Sequence, residues 1–246
     1  MFVTGLTDKG IVRRENQDSL IHGSLSEHSL YAAVFDGMGG AKAGKFAGEF
    51  ASSAFAEALE KAGEKALHKA PGEELRRILS SINAEMFQKA EGLVEYHGMG
   101  TTCCAALLFD GQGMIANIGD SRAYLFDGKA CTQLTRDHSI VAALLESGEI
   151  DEETARSHPQ RNIITRALGT DPQVEADLYP VDARGKRLIL CSDGLHGYFS
   201  ARELCDILSR SLSDEAACRT LVDEAKKRGG RDNISVIIIH CDKERA

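Results

Sequence analysis

The hydrophobic pattern of this 246-residue chain changes period several times, and the order of those changes limits the architectures open to it. Residues 2–7 and 29–35 are short runs rich in β-branched and aromatic residues, bounded by Gly, Asp or Ser, which is the pattern of strands. From Ala41 to about Lys69 the spacing becomes helical, with Phe46, Phe50, Phe55 and Leu59 on one face. The break "APGEE" starts a second helix near Pro71, a proline the first turn tolerates. Its apolar stripe is Leu75, Ile78, Leu79, Ile82 and Met86, and packing against a sheet accounts for both stripes. After Gly100, "TTCCAALLF", "GMIANIG", "SRAYLF" and "KACTQLT" read as a meander of hairpins. Residues 137–168 form a polar, helix-like insertion, and "KRLILCSDG" is a further buried strand. Helices follow at 201–210 and 213–228, and "NISVIIIH" closes the chain as a strand. With no linker, repeat or low-complexity block, the expectation is one α+β domain over 1–246, with helices outside two antiparallel sheets.

Composition narrows the function classes. The 29 basic and 37 acidic residues leave a net charge of −8, so there is no general electrostatic case for a nucleic-acid partner. No apolar run approaches the ~20 residues needed to cross a bilayer, which argues against a membrane protein. "MFVTGLTDKG" lacks the basic and apolar stretches of a secretory signal. The seven cysteines, at 103, 104, 131, 191, 205, 218 and 241, include no Cys-x-x-Cys pair, as expected for reduced thiols in the cytoplasm.

The chemistry lies in aspartates at strand ends. Asp36 ends "LYAAVF", Asp120 ends "GMIANIG", Asp193 ends "RLILCS", Asp232 precedes "NISVIII", and Asp18 follows "VRREN". Four of these five abut Gly or Asn, which let a main chain turn sharply and come close to something. One such aspartate is most simply a turn residue. A set of them converging at one end of a sheet repels itself and needs cations to hold it together. Oxygen donors select Mg²⁺ or Mn²⁺, whereas zinc prefers His and Cys, and the eight histidines show no zinc spacing.

The order "VRRENQD … VFDGMGG … GMGTT … IGDSR … LILCSDG … RDNIS" resembles the metal-dependent protein serine/threonine phosphatases of type 2C, the PPM family, in their compact bacterial form. The resemblance runs from about Thr4 to His240 and implies a four-layer αββα sandwich. It implies that Asp36 bridges two metals, that Gly37 gives its carbonyl to one of them, and that Asp193 and Asp232 bind the other. Asp18 resembles the acidic residue that joins the first pair through water. Asp120 resembles the ligand of a third, weaker metal to which Asp193 also contributes. Arg13 matches the phosphate-gripping arginine, with an ion pair to Glu15 as the competing reading. Gly98, Gly100, Thr101 and Thr102 match a structural motif, and residues 137–168 match a flap beside the site. Within that flap Arg161 is a candidate for substrate docking, against a simpler reading in which the segment only caps the core. Two departures stand out: Gln17 replaces a glutamate and Met38 a histidine found in some members. The first lowers the charge at the second metal, and the second leaves leaving-group protonation to water.

The implied reaction is hydrolysis of phosphoserine and phosphothreonine by a water activated between two cations ~3.5–4 Å apart. The implied substrates are phosphorylated proteins, including a serine/threonine kinase or its targets, and the chain is expected to act as a monomer. Cys191 has no Cys-x₅-Arg loop and reads as a buried strand residue. The rival readings are a catalytically weak phosphatase-like binding module and a metal nuclease or small phosphoester hydrolase. The intact set Asp36, Asp193 and Asp232 argues against the first, and the charge of −8 and the motif order against the second.

Overall fold

A computed structural model of the chain describes residues 1–242. In chain order the strands and helices are β1 (Phe2–Asp8), β2 (Asp18–Ser26), β3 (Ser29–Met38), α1 (Ala41–Ala62), α2 (Glu64–Lys69) and α3 (Pro71–Gly92). After a helical turn at Val94–Tyr96 come β4 (Gly100–Thr101), β5 (Cys103–Phe109), β6 (Gln112–Ile118), β7 (Arg122–Phe126) and β8 (Cys131–Gln133). The remainder comprises α4 (Ile140–Glu146), α5 (Glu152–Ser157), β9 (Asp177–Asp182), β10 (Arg187–Cys191), α6 (Asp193–His196), α7 (Ala201–Arg210), α8 (Asp214–Lys227) and β11 (Ile234–His240).

The strands form two antiparallel sheets, one ordered β1-β11-β10-β7-β8 and the other β2-β3-β5-β6-β9, with β4 paired to β3. The period-2 alternation of each central strand assigns its two faces to different layers. From β3, Leu30, Ala32 and Val34 meet Leu188, Leu190, Ile237 and Ile239 of the facing sheet, while Tyr31, Ala33 and Phe35 turn outward against α1 and α3. From β11, Val236 and Ile238 turn outward against Leu204, Leu208 and Leu221 of α7 and α8. The expected αββα layering follows, and burial on both faces explains why "LYAAVF" is apolar without alternation.

Several expectations need correction. The stretch 101–135 is not one meander: β5 and β6 pair, β7 and β8 pair, but β6 and β7 lie in different sheets. Gly119, at φ 98°, turns the chain between them, so Asp120 sits where the chain crosses from one sheet to the other. The predicted helix 41–69 breaks at Gly63, whose φ of 75° leaves the helical region. On α1 the face against the sheet is Ala43, Ala47, Ala51, Phe55 and Leu59. Phe46 and Phe50 lie to its flank, with Phe46 stacked on Tyr96 at 4.3 Å between ring centroids. Strands β2 and β9 were missed, and both are sheet edges, where polar residues and Pro180 blunt the apolar signal.

Candidate active site

Strand register gathers the aspartates. Asp18 opens β2 and lies directly opposite Asp36 near the end of β3. Asp120 follows β6, whose end pairs with the start of β5 beside the end of β3. Asp193 follows β10 and Asp232 precedes β11, and those strands are antiparallel, so both fall at one end of the second sheet. Ser192 Oγ donates to Asp18 Oδ2 at 2.8 Å and links the two sheet ends. Asp36 and Asp193 are themselves within hydrogen-bonding reach.

Such crowding perturbs every member. Burial, then the charges of Asp18, Asp193, Asp120 and Asp232, hold the Asp36 carboxyl well above the usual range. Burial is also the first cause of raising Asp193 to about 6, Asp18 to about 7 and Asp120 to about 8, with neighbouring aspartates adding to it in each case. Asp18 and Asp120 are buried by surface area, whereas Asp36 and Asp193 are enclosed by protein yet retain a face open to solvent. Two such charges 4 Å apart repel by about 4 kcal/mol at an effective dielectric of 20. Asp18 Oδ1 and Asp193 Oδ1 are buried without a hydrogen-bond partner.

The glycines after the aspartates answer to packing. Gly37 and Gly194 are outside the left-handed region. A Cβ on Gly37 would lie 2.0 Å from Gly44 O of α1, and one on Gly194 would lie 1.9 Å from Asn233 O. Each glycine thus lets two main chains touch behind a carboxylate. Asn233, assigned no role from sequence, is the clamp of this end. Its Nδ2 donates to Lys9 O at 3.0 Å and Glu15 O at 2.9 Å, and its Oδ1 accepts from Gln17 N at 2.8 Å. The loop between β1 and β2 is thereby tied to the residue after Asp232. His196 was also missed: its Nε2–H donates to Asp120 O at 2.9 Å, and burial lowers its pKa to about 3, so the ring is neutral. Neither role leaves a local sequence signal, because the bonds span tens to hundreds of residues.

Arg13 reaches into the cluster. Its Nη2 pairs with Asp232 Oδ2 at 2.7 Å while its side chain stays 50% exposed, so its partner is Asp232 and not the Glu15 weighed from sequence. Gln17 Nε2 donates to Gly40 O at 2.9 Å, and Met38 pairs with Gly100 across β3 and β4. Thr102 and Thr101 are structural as expected: Thr102 Oγ1 accepts from Asp36 N at 3.0 Å, and Thr101 bridges to Leu168. The 137–168 segment carries two short helices, α4 and α5, whose base is fastened by bridges Ser139–Ile164 and Thr101–Leu168. His138 anchors that base, accepting at Nδ1 from Gly119 N (3.0 Å) with Nε2 3.1 Å from Asp177 Oδ2. Arg122 pairs with Asp137 at 2.7 Å beside it. Arg161 lies on the exposed turn after α5, its backbone N–H bonded to His158 O, and no carboxylate of the cluster contacts it.

The sequence profile of the family "Protein phosphatase 2C" matches residues 12–231. The chain belongs to the protein phosphatase 2C family. It is 37% identical over 239 residues to "Serine/threonine phosphatase stp" of Listeria monocytogenes, covering 96% of this chain and 94% of that one. It is 35% identical over 247 residues to "Protein phosphatase PhpP" of Streptococcus pneumoniae, covering both in full. The crystal structure of serine/threonine phosphatase Stp1 from Staphylococcus aureus superposes with a TM-score of 0.91 at 35% identity, over 96% of this chain and 93% of that chain.

Protein phosphatases 2C are metal-dependent, and this chain's donors fit divalent ions. They are all oxygen, two of their buried carboxylate oxygens have no hydrogen-bond partner, and their mutual repulsion calls for positive charge. Among the described residues, no group of three or more His, Cys, Asp or Glu side chains is by itself arranged to hold a metal ion. The fit therefore rests on carboxylates working with backbone carbonyl and water oxygens. No helix among the described residues is long and apolar enough to cross a membrane.

Proposed function

We propose that this 2C-type phosphatase hydrolyses phosphoserine and phosphothreonine esters of proteins with two Mn²⁺ or Mg²⁺ ions held at the acidic end of its sandwich. Asp36 and the Gly37 carbonyl would hold one ion, with Asp18 acting through water, and Asp36, Asp193 and Asp232 the other. Asp120 and Asp193 would supply a third, weaker site. When bound, the ions neutralise phosphoryl charge and lower the pKa of water.

The chain's own groups do the rest. Ser192, itself accepting from Ser235 N at 3.0 Å, fixes Asp18 Oδ2, while Oδ1 is buried without a hydrogen-bond partner. The Arg13 guanidinium is half exposed and held over the carboxylates by the Asn233-clamped loop. Its planar fork suits two phosphoryl oxygens, with Asp232 as its partner before substrate arrives. Met38 has no proton to give, so the leaving serine or threonine oxygen takes one from water. The 137–168 flap, with Arg161 at its exposed turn, would meet the protein part of the substrate. We extend the reading to the whole chain as one 2C-type domain, acting as a cytoplasmic monomer on phosphoproteins that include a serine/threonine kinase or its targets.

The observation that carries the proposal is the convergence of Asp18, Asp36, Asp120, Asp193 and Asp232, with Arg13 paired into them. The test is hydrolysis of p-nitrophenyl phosphate with Mn²⁺, with chelator, and by Asp193→Asn. Turnover is expected only in the wild-type protein with Mn²⁺, falling by about 10²-fold or more in the variant. Robust activity in chelator would contradict the two-ion reading.

A further inference from the structure

We propose that Ile11 and Val12 form an apolar shelf that receives a hydrophobic side chain flanking the phosphoserine or phosphothreonine of the protein substrate. The proposal rests on the phosphatase reading and on Arg13 as the phosphate grip. Ile11 and Val12 are 62% and 63% exposed, two adjacent β-branched residues directly before Arg13. Single exposed apolar residues are ordinary on a protein surface, but a pair abutting a substrate-gripping residue is not explained by packing.

The shelf is also held still. Ile11 N donates to Gly230 O at 2.9 Å, and the Asn233 amide holds the loop at Lys9 O and Glu15 O on either side of the pair. Gly10, at φ 74°, lies so close to Asp232 O that a Cβ there would come within 2.2 Å. These bonds fix the loop through its main chain; the Ile11 side chain borders Gly230, and both side chains keep most of their surface exposed. A loop held in place this way lowers the ordering cost of binding.

Reach sets the position of the contact. Consecutive Cα atoms are ~3.8 Å apart and an extended peptide advances ~3.3–3.6 Å per residue. With its phosphate on Arg13, a substrate has residues one to three positions from the phosphorylated one within reach of Ile11 and Val12. The surrounding Lys9, Arg14 and Glu15 are exposed and of mixed sign, so an apolar neighbour is the chemistry this surface selects, with charged flanks as the competing outcome.

The experiment compares two phosphothreonine peptides that differ only in having Val or Ser on both sides of the phosphorylated residue. For the wild-type protein with Mn²⁺, kcat/KM is expected to favour the Val peptide by about 3- to 10-fold. In Ile11→Ser/Val12→Ser that ratio is expected to fall to about one. A wild-type ratio of one, a ratio unchanged in the double variant, or a preference for acidic flanks would overturn the shelf. Wild-type turnover of p-nitrophenyl phosphate in the same preparation separates the two readings: its absence defeats the phosphatase assignment, and its presence with no peptide discrimination defeats only the shelf.

Discussion

Arg13 pairs with Asp232, and on the proposed reading it gives up that partner for a phosphoryl group. In the structure its guanidinium neutralises Asp232, and the charges of Asp36 and Asp193 add to the pull. Replacing it by alanine is expected to raise KM for phosphate esters by about 10-fold while Mn²⁺ binding, measured by calorimetry, persists. Asn233→Ala removes the clamp that sets the arginine loop and leaves the Lys9 and Glu15 carbonyls short of a donor, at a cost of about 1–3 kcal/mol in folding stability. Because Asn233 acts through that loop, its effect on KM should largely vanish in an Arg13→Ala background, whereas additive effects would mean that the two act separately. The strand-end aspartates were legible in sequence because residue type and motif order mark them, whereas the pairing of Arg13 with Asp232 was not. Asn233 was not, since its partners lie 216–224 residues away and nothing local distinguishes it from a turn asparagine.

The turns behind the carboxylates depend on contact between elements more than on backbone freedom. The start of α6 presses against the residue before β11 so closely that Gly194→Ala would drive a methyl group into Asn233 O. A drop of about 2 kcal/mol or more in stability is expected, together with weakened Mn²⁺ binding. Unchanged melting with full metal affinity would show that the Asp193 and Asp232 loops can separate freely. The helices and the doubly buried strands β3, β10 and β11 were readable because their patterns are strong and their burial complete. The edges β2 and β9 were not, since an edge strand mixes polar residues into its pattern. The crossing at Gly119–Asp120 was also hidden, because a two-sheet crossing and a hairpin use the same short glycine turn. On α1 the phenylalanines drew attention from the small residues Ala43, Ala47 and Ala51, which allow the helix to lie close to the sheet.

For the molecule as a whole, the acidic end is a site of stored repulsion that protons or divalent ions relieve. Burial and mutual repulsion push Asp193, Asp18 and Asp120 up to about 6, 7 and 8 in the fold, against 3.8 when unperturbed. Between about pH 4 and 8 these carboxyls hold more protons in the fold than in the unfolded chain, so their contribution to stability in chelator falls as pH rises through this window. Metal binding requires the deprotonated carboxylates, so the stabilisation given by Mn²⁺ grows over the same range. Thermal melting in chelator and in Mn²⁺ at about pH 5 and pH 8 checks both trends, and a gap that is constant with pH would contradict them. The most direct measurement is anomalous diffraction at the manganese edge from crystals soaked in Mn²⁺. The account predicts at least two peaks between Asp36 and the Asp193–Asp232 pair, the first also touching the Gly37 carbonyl. Peaks confined to other acidic surfaces, with none at this end of the sandwich, would contradict it.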